Sequence, residues 1–222
     1  MMILSNEYID RSDLKVPANP IPHSSYKRFK YKLEENSKVY AERNMMLFLI
    51  GIGTGYRNQD IVDLTIGDIR EALQNGSFLI QEKKQYNSWL KHIKDNPNSK
   101  RKKPNKRCAE IEPRSELEKA LKVYVKGKKN SEYAFPSNRE YGYITAKSFS
   151  RILKSIGEEL GLENISGHSL RKTYATWLYE MTNDIVFVSK QLGHKSPETT
   201  MKYIGLDKQD KKRAAGIISS ML

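Results

Sequence analysis

Apolar positions recur at helical spacing through most of the chain. Tyr40, Met45, Leu47, Phe48 and Leu49 supply one face of a strong helix that Ser37 is placed to cap. Gly51, Gly53 and Gly55 predict its break. Arg57 to Leu64 reads as a short helix with Ile61, Val62 and Leu64 inward, and Ile66-Gly67-Asp68-Ile69 leads away from it. Further helices are predicted from Pro113 through Val125, Thr145 to Leu160, Ser169 to Tyr179, Ile185 to Leu192, Pro197 to Tyr203, and Asp207 to Leu222. Period-two alternation marks Ser77 to Gln81 as a strand, with Cys108 to Ile111 as its antiparallel partner. Between them Gln85 to Arg107 is a long, largely polar stretch and reads as a loop, either functional or disordered. Residues 1–36 are weakly patterned, and Pro17, Pro20 and Pro22 predict an extended leader followed by a short helix around Ser25 to Leu33. The expected architecture is mainly α with a small antiparallel sheet, an α+β fold: a leader or linker over 1–36 and one domain over 37–222.

Composition narrows what this fold is for. The 222 residues suit one large domain with a short appendage. The net charge of +13 and isoelectric point of about 9.6 favour a polyanionic partner, nucleic acid first. Cys108 is the single cysteine, so no disulfide framework exists within one chain and a reducing cytoplasm fits. No CxxC or HExxH spacing points to zinc, and no cofactor is implied. The longest apolar run, Met45 to Ile52, is far too short to span a bilayer, and the start of the chain does not read as a signal peptide. The expected setting is cytoplasmic, away from membranes.

Candidate chemistry lies in three stretches. His168 and Arg171 are three residues apart at a predicted helix start, so both project from one face, where a phosphate is also favoured. His194 follows Gly193 in a tight turn, with Ser196 as a cap and Pro197 in the first turn of the next helix; Tyr203 lies near that helix's end. Arg57 follows a glycine-broken turn, and Asp60 is placed to brace its guanidinium from behind. Each has a plain structural reading: a surface HxxR pair, a helix-terminal cation, a packing tyrosine, an exposed ion pair worth little. Together they form a set for attacking a phosphodiester without metal: arginines for the phosphate oxygens, histidines for protons and hydrogen bonds, a tyrosine nucleophile.

The three stretches resemble the phage-integrase family of tyrosine recombinases. They are Gly53-Thr54-Gly55-Tyr56-Arg57-Asn58-Gln59-Asp60, with Leu64 and Asp68-Ile69 behind; Gly167-His168-Ser169-Leu170-Arg171-Lys172-Thr173; and Leu192-Gly193-His194 followed by Thr199-Thr200-Met201-Lys202-Tyr203. The likeness covers roughly 37–222, the extent of a catalytic domain in that family. It implies a site-specific recombinase in which Tyr203 attacks the scissile phosphate to form a 3′-phosphotyrosine and release a 5′-hydroxyl. Arg57 and Arg171 would clamp the non-bridging oxygens, His168 would handle the tyrosine proton, and His194 would donate a hydrogen bond. A lysine beside the hairpin would protonate the leaving oxygen; Lys84 is the first choice and Lys83 the alternative. The hairpin connection is longer than the family's usual turn, and a preceding core-binding domain of the usual size has no room here, as in naturally short members or a fragment. The resemblance also implies double-stranded DNA as partner and a homo-tetramer on paired sites, monomeric without DNA, with a helix from about Asp207 exchanged between protomers.

Six of the eight residues from Lys100 to Arg107 are basic, so Lys100, Arg101, Lys102, Lys103, Lys106 and Arg107 are expected on the DNA backbone. The competing functions are a type IB topoisomerase, which shares the chemistry, and a non-catalytic DNA-binding regulator, which has no need of Tyr203.

Overall fold

A computed structural model describes residues 16–138, 141–206 and 215–220. The chain enters through α1 (His23–Ser37) and a 3-10 turn over Lys38–Tyr40 into α2 (Ala41–Thr54). Helix α2 is the axis of the domain: Met46 through Ile50 and Ile52 are all buried. It runs through Gly51 and Gly53 rather than breaking at them. A Cβ on Gly51 would stand 2.6 Å from Leu170, and one on Gly53 2.9 Å from Leu117. Those glycines serve close packing, a use that looks the same as a helix break in sequence. The helix stops at Gly55, in the left-handed region at φ 63°.

The expected leader ends earlier than predicted. Phe29 and Leu33 of α1 and Ile21 before it are fully buried in the main core, and the Ile21 N–H donates to Thr173 Oγ1 at 2.8 Å. The charged pattern of α1 hid this, because only a narrow stripe of it faces inward.

Next come α3 (Asn58–Ile61) and α4 (Ile66–Asn75), the latter opened by a Thr65–Asp68 capping box. Strand β1 (Ser77–Ile80) leaves α4, and Phe78 points into the core. Then the structure departs from the expected loop: α5 (Lys83–Asp95) occupies its first half. Tyr86, Trp89 and Ile93 lie on one face of it, and none of its residues is buried in the main core. It packs on its own return path instead. Trp89 Nε1 donates to the Arg101 carbonyl at 2.9 Å, His92 meets Ser99 at 2.9 Å, and Lys103 sits over the Tyr86 ring.

Strand β2 (Arg107–Glu110) closes the two-stranded antiparallel sheet, pairing Phe78 with Ala109 and Ile80 with Arg107. Helices α6 (Glu116–Tyr124), α7 (Ala146–Glu159), α8 (Gly167–Thr182), α9 (Ile185–Leu192) and α10 (Pro197–Ile204) follow at the predicted places. Side chains of Ser115, Thr145, Ser166 and Asp184 cap four of them. Ser196 stands at the N-cap of α10, but its hydroxyl faces Thr199 Oγ1 and not the backbone. The helix expected from Asp207 lies mostly outside the described residues; 215–219 are helical.

Two apolar clusters result. The main one gathers α1, α2, α4, α6, α7 and the sheet. A smaller one joins Ala175 of α8 to Val188 and Leu192 of α9, with Tyr174, Leu178, Tyr203 and Ile204 packed on it. Helix α8 contributes to both, through Leu170 and Ala175.

Candidate active site

Arg57 and Arg171 come together where the two clusters meet. The extended backbone of Arg57 (φ −72°, ψ 143°) forms the N-cap of α3 and turns its side chain out of the glycine-broken turn. Gly55 in that turn has no alternative, since a Cβ would lie 2.4 Å from the Tyr174 ring. The Gly55 carbonyl is left pointing at Arg171, whose Nη1 donates to it at 2.7 Å. Arg171 Nη2 donates to the Leu192 carbonyl at 2.6 Å, so one guanidinium ties the end of α2 to the end of α9. It is 2% exposed, and burial, with Arg57 nearby, pushes its pKa down to about 10, which leaves it charged at neutral pH.

Asp60 braces Arg57 less closely than the spacing suggests. Its Oδ2 is 4.0 Å from Arg57 Nη1, while its Oδ1 accepts the Lys83 backbone N–H at 2.9 Å. Burial raises its pKa. The close partner is Glu82, 2.6 Å from Arg57 Nη1 and 3.1 Å from Arg171 Nη1. Sequence reasoning missed it. The signal available was one carboxylate at the end of a strand, immediately before two lysines in a strongly basic chain.

His168 opens α8 behind the Ser166–Ser169 capping box and stays open to solvent. Partial burial, then Arg57, Arg171 and Lys84, hold its pKa below the usual histidine value. The Tyr203 hydroxyl donates to the His168 carbonyl at 3.4 Å. Burial raises the tyrosine's pKa, while Arg171 and Arg57 pull in the opposite direction. His194 follows Gly193, which ends α9 at φ 63°, and its ring stands edge-on to Tyr203 with centroids 5.6 Å apart. Buried Thr200 Oγ1 lies 2.9 Å from its Nδ1 and fixes the ring. Burial and the two arginines push the His194 pKa down to about 4, so both histidines are neutral at pH 7.

The two lysines part company at the start of α5. Lys83 Nζ is committed to Asp63 Oδ1 at 2.6 Å and to the Gln59 carbonyl at 2.5 Å. Lys84 lines a cavity of about 490 Å³ with Arg57, Gln85, Ser88, Arg101, Gly193 and His194. The basic run divides too. Lys100, Arg101, Lys102, Lys103 and Lys106 are exposed. Arg107 is not: its guanidinium lies 3.7 Å from the Tyr56 ring centre and donates to the carbonyls of Gln191 at 2.8 Å and Thr54 at 2.9 Å. Its expected place on the DNA backbone is therefore corrected: its guanidinium is turned inward and bonded to two carbonyls, and burial lowers its pKa.

A deep cation pair with Arg57 and His194 at a cavity that Lys84 also lines, and Tyr203 against His168 and His194 beside it, suits phosphoryl transfer to a tyrosine oxygen. Residues 21–210 match the sequence pattern described as the phage integrase family. The chain belongs to that family. The chain is 34% identical over 185 residues to the probable integrase/recombinase YoeC of Bacillus subtilis, covering 83% of this chain and 86% of that protein. It is 28% identical over 193 residues to tyrosine recombinase XerH of Helicobacter pylori, covering 84% of this chain and 47% of the relative. It thus spans about half the length of that second relative. In fold it resembles the XerH site-specific recombinase bound to palindromic difH substrate, with a TM-score of 0.62 at 24% identity over 98% of this chain and 58% of that one. The Tn1549 transposon integrase in complex with circular intermediate DNA gives 0.61 at 16% identity, over 93% and 72%. Membership in this family places the chain among the DNA strand transferases of the tyrosine recombinase kind, in preference to the topoisomerase or regulator readings. Among the described residues no helix is long and apolar enough to cross a membrane.

Proposed function

We propose that this chain cuts and rejoins double-stranded DNA at specific sites through a 3′-phosphotyrosine at Tyr203. The observation that carries the proposal is that the Tyr203 hydroxyl lies against His168 in the same chain that supplies the paired arginines. Tyr203 Oη attacks phosphorus as its proton passes to neutral His168. Arg57 and Arg171 stabilise the charge that gathers on the non-bridging oxygens, and their fixed positions avoid reorganisation at that moment. His194, held by Thr200, donates a hydrogen bond to the same phosphate. Lys84 protonates the departing O5′, since it faces the cavity and Lys83 is engaged elsewhere. One P–O bond breaks and one forms, so the reverse attack by a 5′-hydroxyl restores the DNA without an outside energy source.

Lys100, Arg101, Lys102, Lys103 and Lys106 supply sequence-independent contacts to the DNA backbone. Assembly on paired sites as a tetramer, in the cytoplasm, completes the reading. Two unsatisfied features favour assembly. Ile217 and Ile218 are 47% and 57% exposed on the last described helical turn. A groove of about 810 Å³ between α1, α2 and α6 is lined by Met45, Met46, Leu49 and Val123 and rimmed by Glu34, Glu42 and Glu116. Lys208, Lys211, Lys212 and Arg213 precede the two isoleucines, so the end of one copy complements the groove of another in charge and polarity.

The test is a nicked duplex carrying the target site, on which a cleaved strand cannot be rejoined. The wild-type chain is expected to form a denaturant-resistant adduct, and Tyr203→Phe to form none while keeping non-covalent affinity. An adduct on Tyr203→Phe sinks the assignment. Removing residues 214–222 should leave binding and block paired-site exchange; normal exchange by that truncation rules out the assembly role.

A further inference from the structure

One carboxylate stands where no motif points. Glu82 joins β1 to α5 and is 2% exposed. Its Oε1 lies 2.6 Å from Arg57 Nη1, 3.1 Å from Arg171 Nη1 and 3.8 Å from Arg107 Nε. Its Oε2 accepts from Gln85 Nε2 at 2.7 Å. Three guanidinium groups therefore surround a single carboxylate oxygen in nearly dry protein.

Arginines aimed at one phosphate repel each other before the phosphate arrives. The effect is large at low effective dielectric. Arg57 lowers the pKa of Arg171, and Glu82 raises it. A counter-ion at this place must hold both cations without consuming the donors that a phosphate needs. Glu82 does so with one oxygen placed on the Nη1 atoms alone. Arg171 has five N–H donors. Gly55, Glu82 and Leu192 accept three of them, and its Nε hydrogen and one Nη2 hydrogen are given to no described residue.

We propose that Glu82 is a positioning residue for strand cleavage, an internal counter-ion that sets the spacing and aim of Arg57 and Arg171 and stays in place when DNA binds. This rests on the recombinase reading. The alternative is a stand-in for the phosphate, expelled by DNA. The position of Glu82 argues for permanence. Its carbonyl accepts the Tyr86 N–H at 3.0 Å as α5 begins, and its Oε2 would be 3.8 Å from a Cβ on Gly193. Glu82 also starts, and Arg107 ends, the connection that carries α5 and the exposed lysines. Both ends of that connection are thereby anchored to the arginine cluster.

The experiment uses the whole chain with Glu82→Gln, which keeps shape and loses charge, and Glu82→Asp, which keeps charge. Adduct formation on the nicked duplex, non-covalent DNA affinity and melting temperature are read for each. Expected for Glu82→Gln is a loss of about thirtyfold or more in the rate of adduct formation with affinity within about threefold, and partial rescue in Glu82→Asp. Faster cleavage together with tighter binding identifies a stand-in and overturns the proposal. So does a loss of cleavage matched by loss of affinity and melting temperature, with Glu82→Asp no better. Should Glu82→Gln fail to melt cooperatively, the same split between cleavage and affinity is decided on Glu82→Asp. A wild-type chain that forms no adduct defeats the recombinase reading as well; a normal wild-type adduct with an unimpaired Glu82→Gln defeats this inference alone.

Discussion

Arg171 sits at the junction of α2, α8 and α9, where it is 2% exposed and holds two backbone carbonyls. Tyr203 meets His168 and His194 from a module whose fully buried apolar residues are Ala175, Val188 and Leu192. The side proposed to stabilise charge is thus set into the protein, and the side proposed to supply the nucleophile rests on a few contacts. The difference fits the proposed chemistry. Electrostatic stabilisation needs donors that do not reorganise, whereas a tyrosine that must attack, stay attached to DNA and later leave gains from a lightly held support.

The largest effect is expected at Arg171. Arg171→Lys keeps the charge but cannot serve Gly55, Leu192 and a phosphate together. We expect a loss of about a thousandfold in adduct formation, with a lower melting temperature. Tyr203→Phe abolishes the adduct at little cost in melting temperature. Equal thermal losses in the two variants would mean that Arg171 and Tyr203 are held equally firmly.

A second effect separates neighbours. Lys84→Ala should slow single-turnover cleavage about a hundredfold or more, the usual scale for a lost general acid. Lys83→Ala loses only the partners Asp63 and Gln59 and should stay within about threefold. A 5′-leaving group that needs no proton would restore Lys84→Ala. The reverse order of the two variants reassigns the acid to Lys83.

Neutralising four of Lys100, Arg101, Lys102, Lys103 and Lys106 should weaken binding to all DNA sequences alike. The salt dependence of affinity should flatten by up to about three to four log units per log salt. Arg107→Gln behaves differently in the same assay: it leaves the slope unchanged and lowers the melting temperature, because its guanidinium is bonded to Gln191 and Thr54. A flattened slope in Arg107→Gln would return it to the DNA-facing group.

The smallest expected effect divides the two sides by pH. Arg171 stays charged over the working range, but His194 titrates. Its folded pKa is depressed to about 4, so the unfolded chain takes up the proton first. Its contribution to stability is full above the unfolded value, about 6.5, and is lost as pH falls toward 4. Denaturation at pH 7.5, 6 and 5 should show wild type losing more stability than His194→Gln over that interval. A larger loss in His194→Gln has the wrong sign.

The candidate stretches were legible because each is local. Gly55 and Gly193 stand at positive φ where helices end, and Ser166, Gly167 and Pro197 mark the starts that present His168, Arg171 and Tyr203. Helix α5 was harder. Tyr86, Trp89 and Ile93 keep helical spacing, but they pack on residues 99–103 and not on the main core, so the polar surroundings outweigh the pattern. Phe29 and Leu33 were obscured in the same way by the charges along α1.

What the sequence determined by itself was most of the elements, the basic character and the candidate stretches, since periodicity, capping and side-chain type are properties of short stretches. What the tertiary structure decided was how those residues share their bonds. Glu82, not Asp60, sits against the arginine pair; Lys84 faces the cavity and Lys83 does not; Arg107 turns inward while its basic neighbours stay outside. A hydrogen-bond donor is claimed by whichever acceptor the fold brings within about 3 Å. Spacing along one helix can suggest such a partner. It cannot weigh it against a carboxylate that arrives from the end of a distant strand.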